Sequence, residues 1–145
     1  MQALPHHYPV RASATADSTV TLSADGVEDI TSAPPAEFGG PGDRWSPESL
    51  LVAAVADCFI LSFRAIARAS RLEWNTLSCT ATGVLDRVER VTQFTAIEVE
   101  AALSVPAGTD IEKAEKLLHK AEASCLITNS LKAPSILRSR IDIAD

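Results

Sequence analysis

The segment from Trp45 to about Ala69 is the feature that most constrains the fold, because it predicts one long helix that is apolar over most of its surface. Ser46 suits the N-cap, since its hydroxyl can accept a hydrogen bond from a free backbone N–H of the first turn, and Pro47 suits the first helical position. A helix of about 24 residues is ~36 Å long, which is as long as a small domain is wide. We therefore expect a central helix that other parts of the protein cover.

Charged residues follow one stripe of this predicted helix, at spacings of seven, four and three: Asp57, Arg64, Arg68 and Arg71. Another set lies along an apolar seam, which we expect to be buried: Leu51, Val55, Cys58, Ser62 and Ala65. Charges interrupt the apolar stretch before any uncharged run reaches the ~18 residues of a membrane span. The sequence therefore predicts no membrane association.

Length and charge exclude several classes of protein. A chain of 145 residues is expected to form one domain, residues 1–145, with a core of its own. The net charge of −6 and the lack of a basic run argue against binding to nucleic acid. The first nine residues carry no secretory signal pattern, so we expect a cytoplasmic protein with reduced thiols. The three cysteines and three histidines match no metal-ligand spacing, so no metal is expected.

The rest of the chain predicts strands in runs rather than strands that alternate singly with helices. The expected elements are a hairpin over 8–22, a short strand over 27–31, a loop over 33–43, a second hairpin over 77–105, a helix opened by a capping box from Thr109 to Glu112, and a strand over 135–143. This order favours an α+β fold with a mainly antiparallel sheet. A few strands cannot cover every apolar face of the long helix, so we hypothesise a homodimer with two such helices at its centre.

The cysteines allow two interpretations on sequence alone. Cys79 falls on the inward side of a strand and is expected to be a small core residue. Cys58 lies on the seam of the long helix, and Cys125 lies on or just past the buried face of the second helix. Two separate core cysteines and a redox pair explain this pattern equally well. A redox pair requires the two thiols to face each other and Cys58 to ionise, which burial opposes unless a cation compensates.

Two segments resemble motifs of a known family. Residues 46–59, SPESLLVAAVADCF, resemble the pattern NPEELLAAALAACF around Cys58. Residues 125–131, CLITNSL, resemble the segment CPVSNAL around Cys125. These patterns are typical of the OsmC/Ohr family of osmotically induced and organic-hydroperoxide-resistance proteins, and the resemblance runs from the first predicted hairpin to the last strand.

The resemblance implies a fold and a reaction. The family fold is an intertwined homodimer in which antiparallel sheets wrap long central helices. The family reaction is a thiol peroxidase reaction on organic hydroperoxides, in which Cys58 would become a sulfenic acid and condense with Cys125 to a disulfide. An external dithiol of the dihydrolipoamide type would reduce that disulfide, and no bound cofactor is needed.

Glu48 matches the glutamate of the family motif, which pairs with a catalytic arginine. Taken by itself, it also suits the first turn of any helix. Ten residues separate Glu48 from Cys58, which is ~15 Å along a helix. The two side chains cannot share a site on one straight helix, so the other subunit of a dimer would have to supply Glu48.

The chain departs from the family pattern in its arginines. Characterised peroxidases of this family carry an arginine just after the first strand or in the loop before the long helix, whereas residues 16–19 and 34–41 contain none. Arg44 is the candidate nearest to that loop, and Arg11 is the second candidate. If no arginine reaches Cys58, its thiolate lacks the expected cation and peroxidase activity would be weak.

Two further departures lie beside the cysteines. Leu126 replaces the proline of the family segment, and Asp57 replaces a small residue and is expected to face outwards with Arg64. The sequence therefore supports two functional hypotheses. The first is a dimeric organic-hydroperoxide reductase, and the second is an OsmC-like ligand-binding or redox-sensing protein that keeps the fold without efficient turnover.

Overall fold

The computed structural model describes residues 1–144 and confirms the predicted α+β class. Its elements in chain order are β1 (Arg11–Ser13), β2 (Val20–Ser23), β3 (Ile30–Ser32), a 3-10 turn (Ala36–Phe38), α1 (Pro47–Ala69), β4 (Thr76–Val88), β5 (Val91–Val105), α2 (Ile111–Ala123), α3 (Leu126–Asn129) and β6 (Ser135–Ile143). The chain forms two compact units, Met1–Leu50 and the residues from Leu51 onwards, which are described separately below. The expectation of a single domain over residues 1–145 stays a prediction.

The first unit contains a three-stranded antiparallel sheet in the order β1-β2-β3. The predicted N-terminal hairpin is present but shorter than its alternating pattern suggested, and the third strand begins three residues later than expected. Several large apolar side chains of this unit are exposed: Tyr8, Val10, Val27, Ile30, Phe38 and Trp45. An exposed set of this size marks a surface that is suited to another protein.

The second unit is built on a sheet in the order β4-β5-β6. The strands β4 and β5 are antiparallel and meet through Glu89 and Arg90, which both have positive φ, as a two-residue type I′ turn requires. The long strand β5 is central, and it pairs with β6 in parallel. The other three strand pairs are antiparallel, so the mainly antiparallel arrangement expected from the sequence is confirmed, with β5–β6 as the exception. The helices α2 and α3 between the two strands supply the long connection that parallel pairing needs.

The core of the second unit forms where α1, α2 and β5 bury their apolar side chains in one cluster. From α1 the fully buried residues follow a spacing of four: Val55, Phe59, Phe63 and Ala67. The predicted seam is therefore displaced, because the two phenylalanines, the largest apolar side chains of this helix, take the core face. Cys58 and Ser62 lie half-buried beside that face, and Ala65 is exposed.

The helix ends show one confirmed cap and one corrected cap. Ser46 caps α1 as predicted, since its Oγ accepts from the backbone N–H of Ser49 at 3.1 Å. At α2 the cap is Asp110 rather than Thr109, because Asp110 Oδ1 accepts from the N–H of Lys113 at 3.1 Å. The Thr109 hydroxyl instead donates to a backbone carbonyl upstream in the chain.

By length and composition alone, α1 is long and apolar enough to cross a membrane, and 22% of its most apolar 18-residue window is buried within the chain. Three of its charged side chains, Asp57, Arg64 and Arg68, are exposed along one stripe, as predicted. One such helix is weak evidence for a membrane span, because central helices of soluble proteins have the same composition.

Gly83 on β4 lies at a close approach between α1 and the sheet. A Cβ added there would fall 2.8 Å from Val52 Cγ2 and 2.7 Å from Phe94 Cε1, which is closer than carbon atoms approach without repulsion. Glycine at this position therefore lets the first half of α1 pack directly on the β4–β5 hairpin.

We expect Gly83→Ala to lower the free energy of unfolding by about 1–3 kcal/mol, because the added methyl overpacks this contact. Urea unfolding at a fixed protein concentration measures the change. Ser78→Ala, at an exposed position of the same strand, is the matched control and should change stability by less than about 0.5 kcal/mol.

The cause is checked by adding Val52→Ala to the Gly83→Ala variant, which removes one of the two clashing side chains. The double variant should then lose less free energy of unfolding than the two single variants lose together. If the two losses of stability simply add, the contact between Val52 and the new methyl group is not the cause of the loss.

Candidate functional site

The structure brings Cys58 and Cys125 together. Cys58 lies at the middle of α1 and is half-buried, whereas Cys125 is 1% exposed and lies between α2 and α3. The Cys125 thiol neighbours Cys58 and is one of the groups that lower the pKa of Cys58. Both cysteines are free thiols in this structure. The sequence left open whether the two thiols meet, and the geometry satisfies this first requirement of a redox pair.

The surroundings of Cys58 stabilise its thiolate without an arginine. Burial is the largest single influence and raises the pKa of Cys58. Hydrogen bonds from the Ile127 N–H, the Cys125 thiol, the Ser62 hydroxyl and the Leu126 N–H act in the opposite direction and together outweigh it. The pKa of the Cys58 thiol therefore lies below its ordinary value of 9.0.

The backbone donors come from the turn that begins α3. Cys125 occupies the N-cap position of this helix, and the next two N–H groups belong to Leu126 and Ile127. The first N–H groups of a helix have no carbonyl partner within it and are free to bind a thiolate. Because Leu126 replaces proline at a position whose N–H is used, this departure from the family motif adds a donor that proline lacks.

Sequence reasoning missed two contributors to this site. The backbone amides of Leu126 and Ile127 carry no signal in the side-chain pattern, so only the fold reveals them. Ser62 was assigned to the apolar seam, although its spacing of four from Cys58 places it one helical turn away on the same side of α1.

Cys79 has a different environment. It lies on β4 opposite Ala101, and its side chain packs against the core. Burial raises the pKa of Cys79, and the nearby charge of Cys125 adds to the effect, so that its pKa reaches about 11. A thiol with this pKa stays protonated at neutral pH, which fits the small core residue that the sequence predicts.

Glu48 lies in the first turn of α1, ten residues before Cys58. One of its carboxylate oxygens, Oε1, is buried and has no hydrogen-bond partner among the residues that the structure describes. A buried carboxylate oxygen without a partner is costly, so this atom requires a donor from elsewhere. The helical separation from Cys58 keeps the two predicted site residues apart within one chain.

The two candidate arginines lie in the first unit. Arg44 is exposed on the loop before α1, where it lines an open cavity of about 660 Å³ together with Asp43 and Trp45. Arg11 pairs with Asp25 at 3.3 Å on the surface. Within residues 1–144, neither arginine forms an ion pair with Glu48. The described chain therefore lacks an assembled arginine–glutamate pair.

No three His, Cys, Asp or Glu side chains converge to hold a metal ion in the part of the chain that the structure describes. Asp57, next to Cys58, is exposed, as the sequence predicts.

Comparisons with known proteins agree on one family. A family model described as "OsmC-like protein" matches residues 40–138. The uncharacterized Bacillus subtilis protein YmaD is 27% identical over 131 residues, which are 88% of this chain and 87% of YmaD.

Two solved structures show the same fold. An OsmC-like protein of unknown function from Vibrio cholerae superposes with a TM-score of 0.83 at 20% identity, over 94% of this chain and 100% of that chain. An organic hydroperoxide resistance protein from Legionella pneumophila superposes with a TM-score of 0.75 at 24% identity, over 97% of this chain and 99% of that chain. At these identities the likeness concerns the fold.

The environments of the thiols predict which of them reacts faster with iodoacetamide. In the reduced protein, Cys58 should alkylate with a half-maximal pH below 9.0, the ordinary thiol value, because hydrogen bonds stabilise its thiolate. Cys79 should react more slowly than Cys58, since the pKa of Cys79 is about 11. Mass spectrometry of the two peptides across pH 6–10 measures both thiols in one sample, so Cys79 is the internal control. A Cys58 midpoint at or above the ordinary value would contradict the activated site.

Proposed function

Because the chain belongs to the OsmC-like family, we propose that it is a cysteine-based peroxidase that reduces organic hydroperoxides in the cytoplasm. One observation carries the proposal: the Cys58 sulfur lies 3.8 Å from the Ser62 hydroxyl and beside the thiol of a second cysteine, and the groups around it lower its pKa. The thiolate is the nucleophilic form of cysteine, and an adjacent thiol is what resolves its oxidised form. Structural neighbours that are named organic hydroperoxide resistance proteins support the same activity.

In the first step the Cys58 thiolate attacks the terminal oxygen of the hydroperoxide. The S–O bond forms while the O–O bond breaks, so the sulfur is oxidised to a sulfenic acid and the peroxide is reduced. The departing alkoxide takes a proton and leaves as an alcohol. The Leu126 and Ile127 N–H groups and the Ser62 hydroxyl hold the thiolate in place before attack.

In the second step Cys125 attacks the sulfenic sulfur of Cys58. The S–S bond forms, the S–O bond breaks, and the hydroxyl leaves as water with the Cys125 proton. The neighbouring positions of the two thiols support this step. An external dithiol of the dihydrolipoamide type then restores both thiols by exchange, so the cycle needs no bound cofactor or metal.

The apolar surroundings favour alkyl or fatty-acyl hydroperoxides over hydrogen peroxide. Leu126, next to the resolving cysteine, is 66% exposed in the single chain and offers an apolar surface beside the reacting sulfur. The neighbouring side chain on α1, Phe59, is fully buried and excludes water from the other side of Cys58. An alkyl chain gains from contact with such surfaces, whereas hydrogen peroxide does not.

The proposed enzyme is a homodimer. Three observations support this state: only 22% of the most apolar stretch of α1 is fully buried within the chain, the first unit exposes a set of large apolar side chains, and Glu48 Oε1 is buried without a partner among residues 1–144. A second copy would cover the apolar surfaces and would bring its own Glu48 to the Cys58 of the first. The active site would then be shared between subunits.

The second candidate is that the chain is an OsmC-like ligand-binding or redox-sensing protein, which lacks efficient peroxidase turnover. The observation that favours it is the arginine pattern, since Arg11 is paired with Asp25 and the exposed Arg44 forms no ion pair with Glu48 in the described chain. Backbone amides carry less charge than a guanidinium, so the thiolate would be less stabilised than in an arginine-activated site.

Stopped-flow oxidation of the reduced protein by cumene hydroperoxide separates the two functions. A peroxidase should react orders of magnitude faster than a free thiol and form a Cys58–Cys125 disulfide, which mass spectrometry detects. Cys58→Ser should abolish the fast phase, and Cys125→Ser should keep it but over-oxidise Cys58. Cys79→Ser is the matched control and should leave the rate unchanged. Oxidation at the rate of a free thiol would overturn the peroxidase proposal and favour the second function.

Subunit mixing tests whether Glu48 acts across the dimer. We expect Glu48→Gln and Cys58→Ser each to reduce turnover strongly when alone. In a mixed dimer, one site would combine an intact Cys58 with an intact Glu48 from the other chain, so up to half of the wild-type activity should return. If both residues act within one chain, every site in the mixture carries a defect and no activity returns. Cys58→Ser mixed with Cys125→Ser is the matched control, because both cysteines lie in one chain.

A further inference from the structure

The hydroxyl of Ser62 faces the reactive sulfur. Ser62 lies one helical turn after Cys58 on α1, and its Oγ is 3.8 Å from Cys58 Sγ. Side chains four residues apart on a helix are neighbours, so the helix itself fixes this pair before any tertiary contact forms. Both side chains are half-buried, which shields the contact from part of the solvent.

Other serines at helix ends use their hydroxyls differently. Ser124 Oγ donates to the carbonyl of Lys120, and Ser130 Oγ donates to the carbonyl of Leu126, each at 2.8 Å and four residues back. Such bonds to the preceding turn are the usual choice of a helical serine. In the described chain the hydroxyl of Ser62 makes no such bond, and its partner is the Cys58 sulfur.

We propose that Ser62 is a further catalytic residue, whose hydroxyl donates a hydrogen bond to the Cys58 thiolate and orients it for attack on the hydroperoxide. The inference rests on the proposed peroxidase function for its role in turnover, but the hydrogen bond to the thiolate stands independently of it. Serine has both a donor and acceptor lone pairs, so it can accept from the thiol and donate to the thiolate by rotating its hydroxyl.

Ser62 compensates in part for the missing arginine. It joins the Leu126 and Ile127 N–H groups in a donor set that is built from α1 and α3. The titratable group beside Cys58 is Cys125, between α2 and α3, and the charge of Cys125 in turn raises the pKa of Cys79 on β4. The neighbouring Asp57 is exposed. No cation faces the Cys58 sulfur among these groups, so neutral donors carry its stabilisation.

The inference makes a distinctive prediction about pH. Removing the hydroxyl in Ser62→Ala should raise the half-maximal pH of Cys58 alkylation by about 0.5–1 pH units, since a hydrogen bond to a charged group is lost. A more basic thiolate is also a stronger nucleophile, and its rate constant rises by about threefold for each unit by which the thiol pKa rises. Ser62→Ala should therefore react more slowly than wild type at pH 6 and as fast or faster at pH 10.

The experiment measures iodoacetamide alkylation of Cys58 in the reduced full-length protein from pH 5 to 10, read by mass spectrometry of the Cys58 peptide. Ser62→Thr keeps the hydroxyl and should keep the wild-type profile. Ser78→Ala removes an exposed serine of β4 and is the matched control. Alanine suits a helix interior, so Ser62→Ala is expected to fold. If its packing changes, Ser62→Thr still tests whether the hydroxyl keeps the midpoint low.

The outcomes separate this inference from the peroxidase proposal. A raised midpoint with crossing profiles in Ser62→Ala, and an unchanged one in Ser62→Thr and Ser78→Ala, would establish the hydrogen bond even in a protein without peroxidase activity. If Ser62→Ala also lowers the rate of oxidation by cumene hydroperoxide at pH 6 to a similar extent, the same hydrogen bond acts in turnover. An unchanged Ser62→Ala midpoint, or a rate lowered equally at every pH, would overturn the role of Ser62.

Discussion

The packing of α1 through Phe59 and Phe63 is the interaction on which the rest of the structure depends. Both rings are fully buried in one cluster with the inner side chains of β5 and with α2, and Phe63 also meets Trp74 edge to face with ring centroids 5.5 Å apart. Burying a phenylalanine contributes about 1.5–3 kcal/mol, so these two residues fix the rotation of the helix. That rotation sets Cys58 at the border of the core, half-shielded and within reach of Cys125.

The site follows from this border position. A thiol buried among apolar side chains alone would have a raised pKa, as Cys79 has, whereas Cys58 meets donors that reverse the effect of burial. The donors come from α1 and from the start of α3, and Lys113, in the first turn of α2, ties that helix to the end of α1 by donating to the carbonyl of Ser70 at 2.8 Å. Polar groups are thus concentrated on one sulfur, and the other two cysteines remain in apolar surroundings.

Polar and apolar groups that the single chain leaves without partners favour the proposed second subunit. Three features are each costly for a single chain in water: a buried carboxylate oxygen on Glu48 without a partner in the described residues, exposed apolar side chains in the first unit, and a long apolar helix with few fully buried residues. One symmetric partner would relieve all three at once. The proposed division of the site between subunits follows from the same fact, because ten residues of helix hold Glu48 away from the Cys58 of its own chain.

The sequence by itself determined the elements whose signals are local. The cap at Ser46, the alternation along β5 and the strand over 135–143 follow from neighbouring residues, so they were predicted closely, and the two cysteine motifs indicated the family. Tertiary structure decided which face of α1 is buried, the parallel pairing of β5 with β6, and the cap at Asp110. It also decided the donors around Cys58, because backbone amides have no side-chain signature and their direction depends on where α3 meets α1. Local residues thus set the elements, while packing between distant segments set the chemistry of the thiol.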